Sequence, residues 1–309
     1  MNFAVIGTGA VGGYYGGLLC RHGFDVHFLL HSDYDHVREH GLQIDSKDGD
    51  FLLERVNAYG RAEDMPRCDV VIVALKTTAN EWLAAILPHV VKPGGVVVAL
   101  QNGFEVEQTI HRIVPDAIVI GGLCFLCSNK IGPGHIHHLD FGAVRMGEFR
   151  PDGSAAGLTP TLERVAGAFR AAGVKVDVTD NLALARWQKL VWNMAFNGVT
   201  VVLGATTDQL MADSSSLALV RSIMEEVVAG ARACGYPLED KFIELMIGVT
   251  RNMVAYSPSM KLDFEARRPL EIEEIYRHPI AAARAAGVAM PRAETVARQL
   301  DFLDRRNRR

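Results

Sequence analysis

The chain lacks a cysteine framework. Its five cysteines, Cys20, Cys68, Cys124, Cys127 and Cys234, are scattered over 309 residues, which excludes a disulfide-stapled scaffold. No apolar run reaches the roughly 20 residues needed to span a bilayer, so no membrane segment is expected. Neither charge is in large excess: 32 Lys and Arg stand against 36 Asp and Glu, and the formal net charge of -4 offers no basic face for nucleic acid. Internal repeats and low-complexity tracts are absent, and the first residues already read as a strand, so no targeting leader is expected. The expectation is a cytoplasmic protein. At 49% hydrophobic residues the chain has enough apolar material for about two packed domains.

Two clusters invite a metal or redox reading and lose it on inspection. Cys124-Phe125-Leu126-Cys127 has C-x-x-C spacing, but it lies in an apolar strand-like run, 118–127. Residues three apart on a strand point to opposite faces, so buried structural thiols are expected. His135 and His137 share a strand face beside His138, yet no second ligand pair accompanies them. A partly exposed strand is expected there, and no metal.

The strongest signal is at the start. Residues 1–6 read as a short buried strand, and Gly7-Thr8-Gly9-Ala10-Val11-Gly12 follows at once, before a small-residue helix from about Gly13 to Arg21 that stops at Gly23. The turn spells G-x-G-x-x-G. Gly7 permits the tight turn, Gly9 lets a pyrophosphate approach the backbone, and Gly12 lets the helix press on the strand. The helix N-terminus then presents unpaired N–H groups and the positive end of its dipole. In a strand–turn–helix context this predicts a Rossmann-type dinucleotide site.

Further strands end in polar groups. Residues 25–30 form the second strand, whose tip selects between cofactors: an acidic residue favours a free ribose hydroxyl and a basic one a 2′-phosphate. The tip here is His31-Ser32-Asp33-Tyr34, a mixed signal. Residues 70–75 end in Lys76-Thr77-Thr78, and residues 96–100 end in Gln101-Asn102-Gly103. Ligands of open parallel sheets bind beyond the carboxyl ends of strands, so the glycine turn, Lys76, Gln101 and Asn102 should line one crevice. The plainer alternatives are a solvated loop lysine and a turn asparagine before glycine. Elsewhere strands are expected at 41–46, 51–56 and 174–178, with strand-rich sequence over 118–148 broken at Gly132-Pro133-Gly134. Helices are expected at 80–90, closed by Pro93-Gly94-Gly95, and at 106–113 and 160–172.

After Asp180 the strand patterns cease. The expected architecture is therefore α/β: a dinucleotide-binding domain, 1–180, followed by an all-α substrate and catalytic domain, 181–309. Its helices are placed at 182–203, 208–234 and 238–254. A loop at 255–260 follows, then helices opened by Pro269 and Pro291 and a short basic tail.

The helix at 182–203 is apolar nearly all round, yet Lys189, Asn193 and Asn197 fall at i, i+4 and i+8 and stack on one face. Unpartnered buried polar groups cost about 1–3 kcal/mol each, so these three need partners. A hydrogen-bond ladder between helices is one answer and a substrate-facing stripe is the other. The second has a clear chemical use. Hydride addition to a carbonyl builds negative charge on oxygen, and a partly desolvated lysine is a competent acid for it. Asparagine amides donate without adding charge. Ser259 and Glu271 would pass as ordinary surface residues.

Together these residues resemble the ketopantoate reductase (2-dehydropantoate 2-reductase) family over nearly the full chain. The matching pieces are GTGAVG at Gly7, V-A-L-K ending at Lys76, Q-N-G at Gln101 and K-L-V-W-N-M-A-F-N from Lys189 to Asn197. The later S-M at Ser259-Met260 and L-E-I-E-E-I around Glu271 also match. The resemblance implies NADPH-dependent reduction of a branched 2-keto acid, with 2-dehydropantoate to pantoate, a step of pantothenate biosynthesis, as the leading case. It implies Lys189 as general acid with Glu271 as its partner, Asn193 and Asn197 as substrate amides, and Ser259 at the substrate carboxylate. It places Asn102 and Lys76 at the cofactor–substrate junction. Two departures stand out. His31 replaces the arginine by which the family holds the 2′-phosphate of NADPH. The segment after Glu271 runs on into Tyr276-Arg277-His278-Pro279, on the expected substrate side. Alternatives are an NAD-dependent 2-hydroxy acid dehydrogenase of the same fold and a non-catalytic dinucleotide sensor. A homodimer is compatible with the apolar faces of the helical region.

Overall fold

The computed structural model describes residues 1–253 and 257–308. The chain divides into two compact units: Met1–Asn102 with Val106–Leu182, and Gly103–Glu105 with Ala183–Arg309.

In the first unit β1 (Asn2–Ile6) leads into α1 (Ala10–Arg21), and β2 (Asp25–Leu29) into α2 (Tyr34–His40). Then come β3 (Leu42–Ser46), β4 (Phe51–Leu53), β5 (Asn57–Tyr59) and β6 (Cys68–Val73). A 3-10 turn, Thr77–Trp82, joins β6 to α3 (Leu83–Val90). β7 (Val91–Ala99), α4 (Val106–Ile113), the long β8 (Ile118–Gly132) and β9 (His135–Glu148), α5 (Pro160–Ala171) and β10 (Val176–Val178) complete the unit. One sheet runs β4-β3-β9-β8-β7-β6-β1-β2-β5, with β10 beside β9. β1 lies between β2 and β6 and is parallel to both, in register Phe3↔Val26 and Phe3↔Val70.

The period of two in β1 explains the layering. Phe3 and Val5 point into one apolar layer with Tyr15 of α1 and Phe169 of α5. Ala4 and Ile6 point into another with Leu83 and Leu87 of α3 and Ile110 of α4. Burial on both faces is why these strands read as unbroken apolar runs. β8 and β9 pair antiparallel from Ile120↔Glu148 to Gly132↔His135 and turn at Pro133-Gly134, where the glycine and proline breaks placed the turn.

Several boundaries differ from the sequence expectation. α1 starts at Ala10, three residues before Gly13, because extended Gly9 (φ -94°, ψ -157°) is its N-cap. Pro93-Gly94-Gly95 lie inside β7 and not after a helix: pairing slips between Cys68↔Val91 and Val70↔Val96, and the bulge takes the proline that cannot donate to the ladder. The strand expected at 51–56 ends at Leu53, and β5 was not expected.

The second unit holds nearly all of α6 (Leu182–Leu203), then α7 (Thr207–Ala212), α8 (Ser214–Ala233), α9 (Lys241–Arg251) and α10 (Ser259–Glu265). A π-helical turn, Glu273–Arg277, runs into α11 (His278–Ala285), and α12 (Pro291–Asn307) ends the chain's regular structure. One core gathers Trp187, Met194 and Phe196 of α6 with Ile223, Ile275, Tyr276 and Leu300. Among its described residues the unit has no strand.

The single helix expected over 208–234 is broken at Asp213, whose carboxylate accepts the Ser216 N–H and caps α8. The helix expected over 238–254 is shorter, Lys241–Arg251. Val254, and Ala255 and Tyr256 of the expected loop, lie outside the described residues, whereas Ser259 opens α10. Pro269 does not open an α-helix, since regular structure begins just after Glu271 and enters the π turn at once. Among the described residues no helix is long and apolar enough to cross a membrane.

Candidate active site

The glycine turn is built as its spacing requires. Gly7 has φ +95°, and a Cβ there would stand 2.6 Å from the Leu75 backbone nitrogen. A Cβ on Gly12 would run into the Gly7 carbonyl oxygen and lie 3.0 Å from Ala74 Cβ and 3.1 Å from Val5 Cγ1. Gly9 differs: a Cβ there would meet nothing within 4 Å. The turn therefore leaves open space over residue 9, at the start of a helix whose N-cap supplies no side-chain hydrogen bond. Those are the features a pyrophosphate needs, close access to backbone and unspent N–H donors. Thr8 Oγ1 donates to the Leu29 carbonyl at 3.2 Å and ties the turn to the end of β2. Ser128 Oγ donates to the Ala10 carbonyl at 3.3 Å, so β8 passes against the same helix end.

At the β2 tip the side chains of His31-Ser32-Asp33 differ in their surroundings. His31 and Ser32 are exposed, but Asp33 is only 6% exposed. Its carboxylate accepts the Gly134 N–H at 2.8 Å and the Ser32 hydroxyl at 3.0 Å, and it pairs with Lys130 Nζ at 2.6 Å. Burial alone would raise its pKa, but the bonds from Lys130, Gly134 and Ser32 outweigh it and hold the carboxyl below its ordinary value. Asp33 is thus spent on structure and brings a cation to the strand end. Lys130 carried no sequence signal, because it is 97 residues away from Asp33 and reaches it only through the β8–β9 hairpin.

At the other strand ends Lys76 is exposed and Asn102 half-buried. Gln101 is 3% exposed, and its amide nitrogen donates to the Leu75 carbonyl at 2.9 Å and to Asn80 Oδ1 at 2.7 Å, joining the ends of β6 and β7.

In the second unit Lys189 is half-buried, and Asn193 and Asn197 are 6% and 2% exposed on the same face of α6. Glu271 is 4% exposed at the entry to the π turn, a form of helix common at functional positions. The tripeptide Gly103–Glu105 packs on that turn: Phe104 N–H donates to the Glu274 carbonyl at 2.8 Å, and a Cβ on Gly103 would overlap Glu274. The Phe104 ring lies 5.1 Å from that of Trp187, two residues before Lys189. Gly103–Glu105, the Glu271 segment and the start of the Lys189 face are in this way linked within the second unit. Ser259 stands half-buried at the first position of α10.

The remaining clusters have structural partners. His135 Nε2 lies 2.7 Å from Asp45, and His138 is bonded to Ser46 Oγ at 2.8 Å and the Phe141 carbonyl at 3.0 Å. None of the five cysteines is in a disulfide.

A sheet unit with a built phosphate turn, followed by a helical unit carrying a lysine–asparagine stripe, defines the two-part class of dinucleotide-dependent oxidoreductases. The comparisons narrow the class. Residues 3–151 match the family model "Ketopantoate reductase PanE/ApbA", and residues 181–304 match its C-terminal counterpart. The chain is 49% identical over 307 residues to the 2-dehydropantoate 2-reductase of Nostoc sp., covering 99% of this chain and 96% of that protein. A crystal structure of 2-dehydropantoate 2-reductase from Geobacter metallireducens superposes with a TM-score of 0.93 at 41% identity, over 98% and 99% of the two chains. One from Methylococcus capsulatus superposes at 0.90 and 34%, over 100% and 98%. The chain belongs to the ketopantoate reductase family.

Proposed function

We propose that this protein reduces 2-dehydropantoate to pantoate with NADPH. The observation that carries the reading is the register of Lys189, Asn193 and Asn197 on a buried face of α6, in a chain 49% identical to a 2-dehydropantoate 2-reductase over 99% of its length. The open space over Gly9 and the uncapped start of α1 fit the cofactor's pyrophosphate. When bound, NADPH supplies a hydride to the substrate's C2 carbonyl carbon. Lys189, as ammonium, donates a proton to the carbonyl oxygen as charge develops there, and the alcohol results. Glu271 orients that ammonium and stands near the new hydroxyl. The amides of Asn193 and Asn197 hold the substrate without adding charge, and Ser259 takes its carboxylate. Lys76 and Asn102 act where cofactor and substrate meet, and Gln101 braces the strand ends on which they stand.

The NADPH preference is supported at the β2 tip. The only acidic residue of that tip, Asp33, is occupied by Lys130, Gly134 and Ser32, while His31, Ser32 and the Lys130 ammonium lie beside it. An anionic 2′-phosphate therefore meets no free carboxylate there, and the polar side chains of His31 and Ser32 and the Lys130 ammonium lie at hand.

Initial rates of NADPH and NADH oxidation across a panel of 2-keto acids test the reading. The expected result is highest kcat/KM with 2-dehydropantoate and NADPH. A tenfold or greater preference for NADH would overturn the cofactor assignment. A higher kcat/KM on another 2-keto acid would overturn the substrate.

A further inference from the structure

The π turn after Glu271 carries a tyrosine that the reaction does not use. Tyr276 is 0% exposed. Its hydroxyl donates to the Met194 carbonyl at 2.6 Å and accepts the Gly198 N–H at 2.9 Å. Met194 and Gly198 are four residues apart, so they are the carbonyl and amide that a regular α-helix joins directly. A side-chain hydroxyl thus stands across one rung of α6, and groups inserted into this ladder bend helices. A second side chain acts on the same turn. Thr200 Oγ1 donates to the carbonyls of Phe196 at 2.8 Å and Asn197 at 3.0 Å, a form of back-bonding that also bends helices. Gly198 is matched to the tyrosine: a Cβ there would overlap the phenol oxygen and lie 2.6 Å from Val296 Cγ1. Burial pushes the phenol pKa well up, so the hydroxyl stays protonated and keeps its donor.

The spanned rung runs from Met194 to Gly198, so it starts one residue after Asn193. Lys189 and Asn193 precede it, and Asn197 lies within it by sequence position. Glu271 lies in the segment that carries Tyr276, with the Ile275 N–H bonded to its carbonyl at 3.3 Å.

We propose that Tyr276 is a positioning residue: its hydroxyl sets the rise of α6 between Asn193 and Asn197, and so the separation of the two amides that hold the substrate. This rests on the reading of Asn193 and Asn197 as substrate-binding groups. Of the Tyr276-Arg277-His278 departure noted in the sequence, Tyr276 alone then acts from inside the core, through the shape of α6.

Tyr276→Phe tests it, because the ring stays and only the bridging oxygen leaves. A positioning error of about 1 Å costs up to roughly a hundredfold, so the expected result is a rise of tenfold or more in KM for 2-dehydropantoate. The NADPH Kd and the pH profile of kcat, which reports Lys189, should stay as in the wild type. In an Asn197→Ala background, Tyr276→Phe should add less than twofold, since both act through one amide. A purely structural tyrosine would lower Tm and leave KM within twofold, and that result overturns the proposal. If Asn197→Ala raises KM and Tyr276→Phe does not, positioning fails while the substrate reading stands. If neither raises it, the substrate reading falls and the proposal with it. Replacing Gly198 by glycolic acid deletes the N–H and leaves every side chain in place. It should raise KM in the same way, and it decides the question should the phenylalanine variant not fold.

Discussion

Gly9→Ala separates the two duties of the glycine turn, folding and cofactor access. The methyl would meet nothing within 4 Å, and φ at residue 9 is -94°, which alanine adopts without strain. Two small effects oppose each other. Alanine removes freedom from the unfolded chain, worth about 0.4–1 kcal/mol, but it is a poorer N-cap than glycine by several tenths. The net change in stability should be within about 0.5 kcal/mol, or roughly 2 °C in Tm. The same methyl fills the space through which a pyrophosphate reaches the backbone, so NADPH affinity should fall tenfold or more, about 1.4 kcal/mol. Gly12→Ala should behave oppositely in stability. Its Cβ overlaps the Gly7 carbonyl oxygen and crowds Ala74 and Val5, and overpacking of this kind costs about 1–3 kcal/mol. Differential scanning calorimetry and titration calorimetry with NADPH, run on both variants, read the two quantities separately. Unchanged NADPH affinity in Gly9→Ala at wild-type Tm would refute the placement of a pyrophosphate over residue 9.

Other expectations concern the parts that hold the site. Asp33→Asn should lower stability by about 1–3 kcal/mol at neutral pH, since it weakens the bonds to Lys130, Gly134 and Ser32. The folded-state pKa of Asp33 is depressed, so its contribution is present above the ordinary carboxylate pKa of about 4 and is lost as pH falls through the lower folded value. Urea midpoints of wild type and variant should therefore converge below about pH 4, and a constant gap would contradict the assignment. Asp213→Ala removes the cap of α8 and should cost about 1 kcal/mol in urea denaturation, with kcat unchanged.

What was legible in the sequence was chemistry confined to one element or one turn. The G-x-G-x-x-G turn follows from three glycines within six residues; Gly7 and Gly12 prove to have steric reasons, and Gly9 opens onto free space. The Lys189-Asn193-Asn197 stripe follows from helical spacing on an apolar helix, and the two asparagines are nearly fully buried. Asp213 shows a local signal passed over: an acidic residue before three serines is an N-cap, and it divides what periodicity alone joins. The groups that could not be seen are those the fold imports from afar. Lys130 reaches the β2 tip across the β8–β9 hairpin, and Tyr276 reaches α6 from 78 and 82 residues away. Neither has a spacing to find, because tertiary packing decides its partner. The β2 tip read as a mixed signal for the same reason, since nothing near Asp33 in sequence announces the lysine and the glycine amide that occupy its carboxylate.

The central claim is that Lys189 is the acid of an NADPH-dependent reduction of 2-dehydropantoate. Turnover of NADPH with 2-dehydropantoate by wild type and Lys189→Ala, each with NADPH affinity measured on the same preparation, tests it most directly. The expected result is turnover in the wild type, a loss of roughly 10²–10⁴ in kcat in the variant, and an unchanged NADPH Kd. Equal kcat in the two proteins would contradict it.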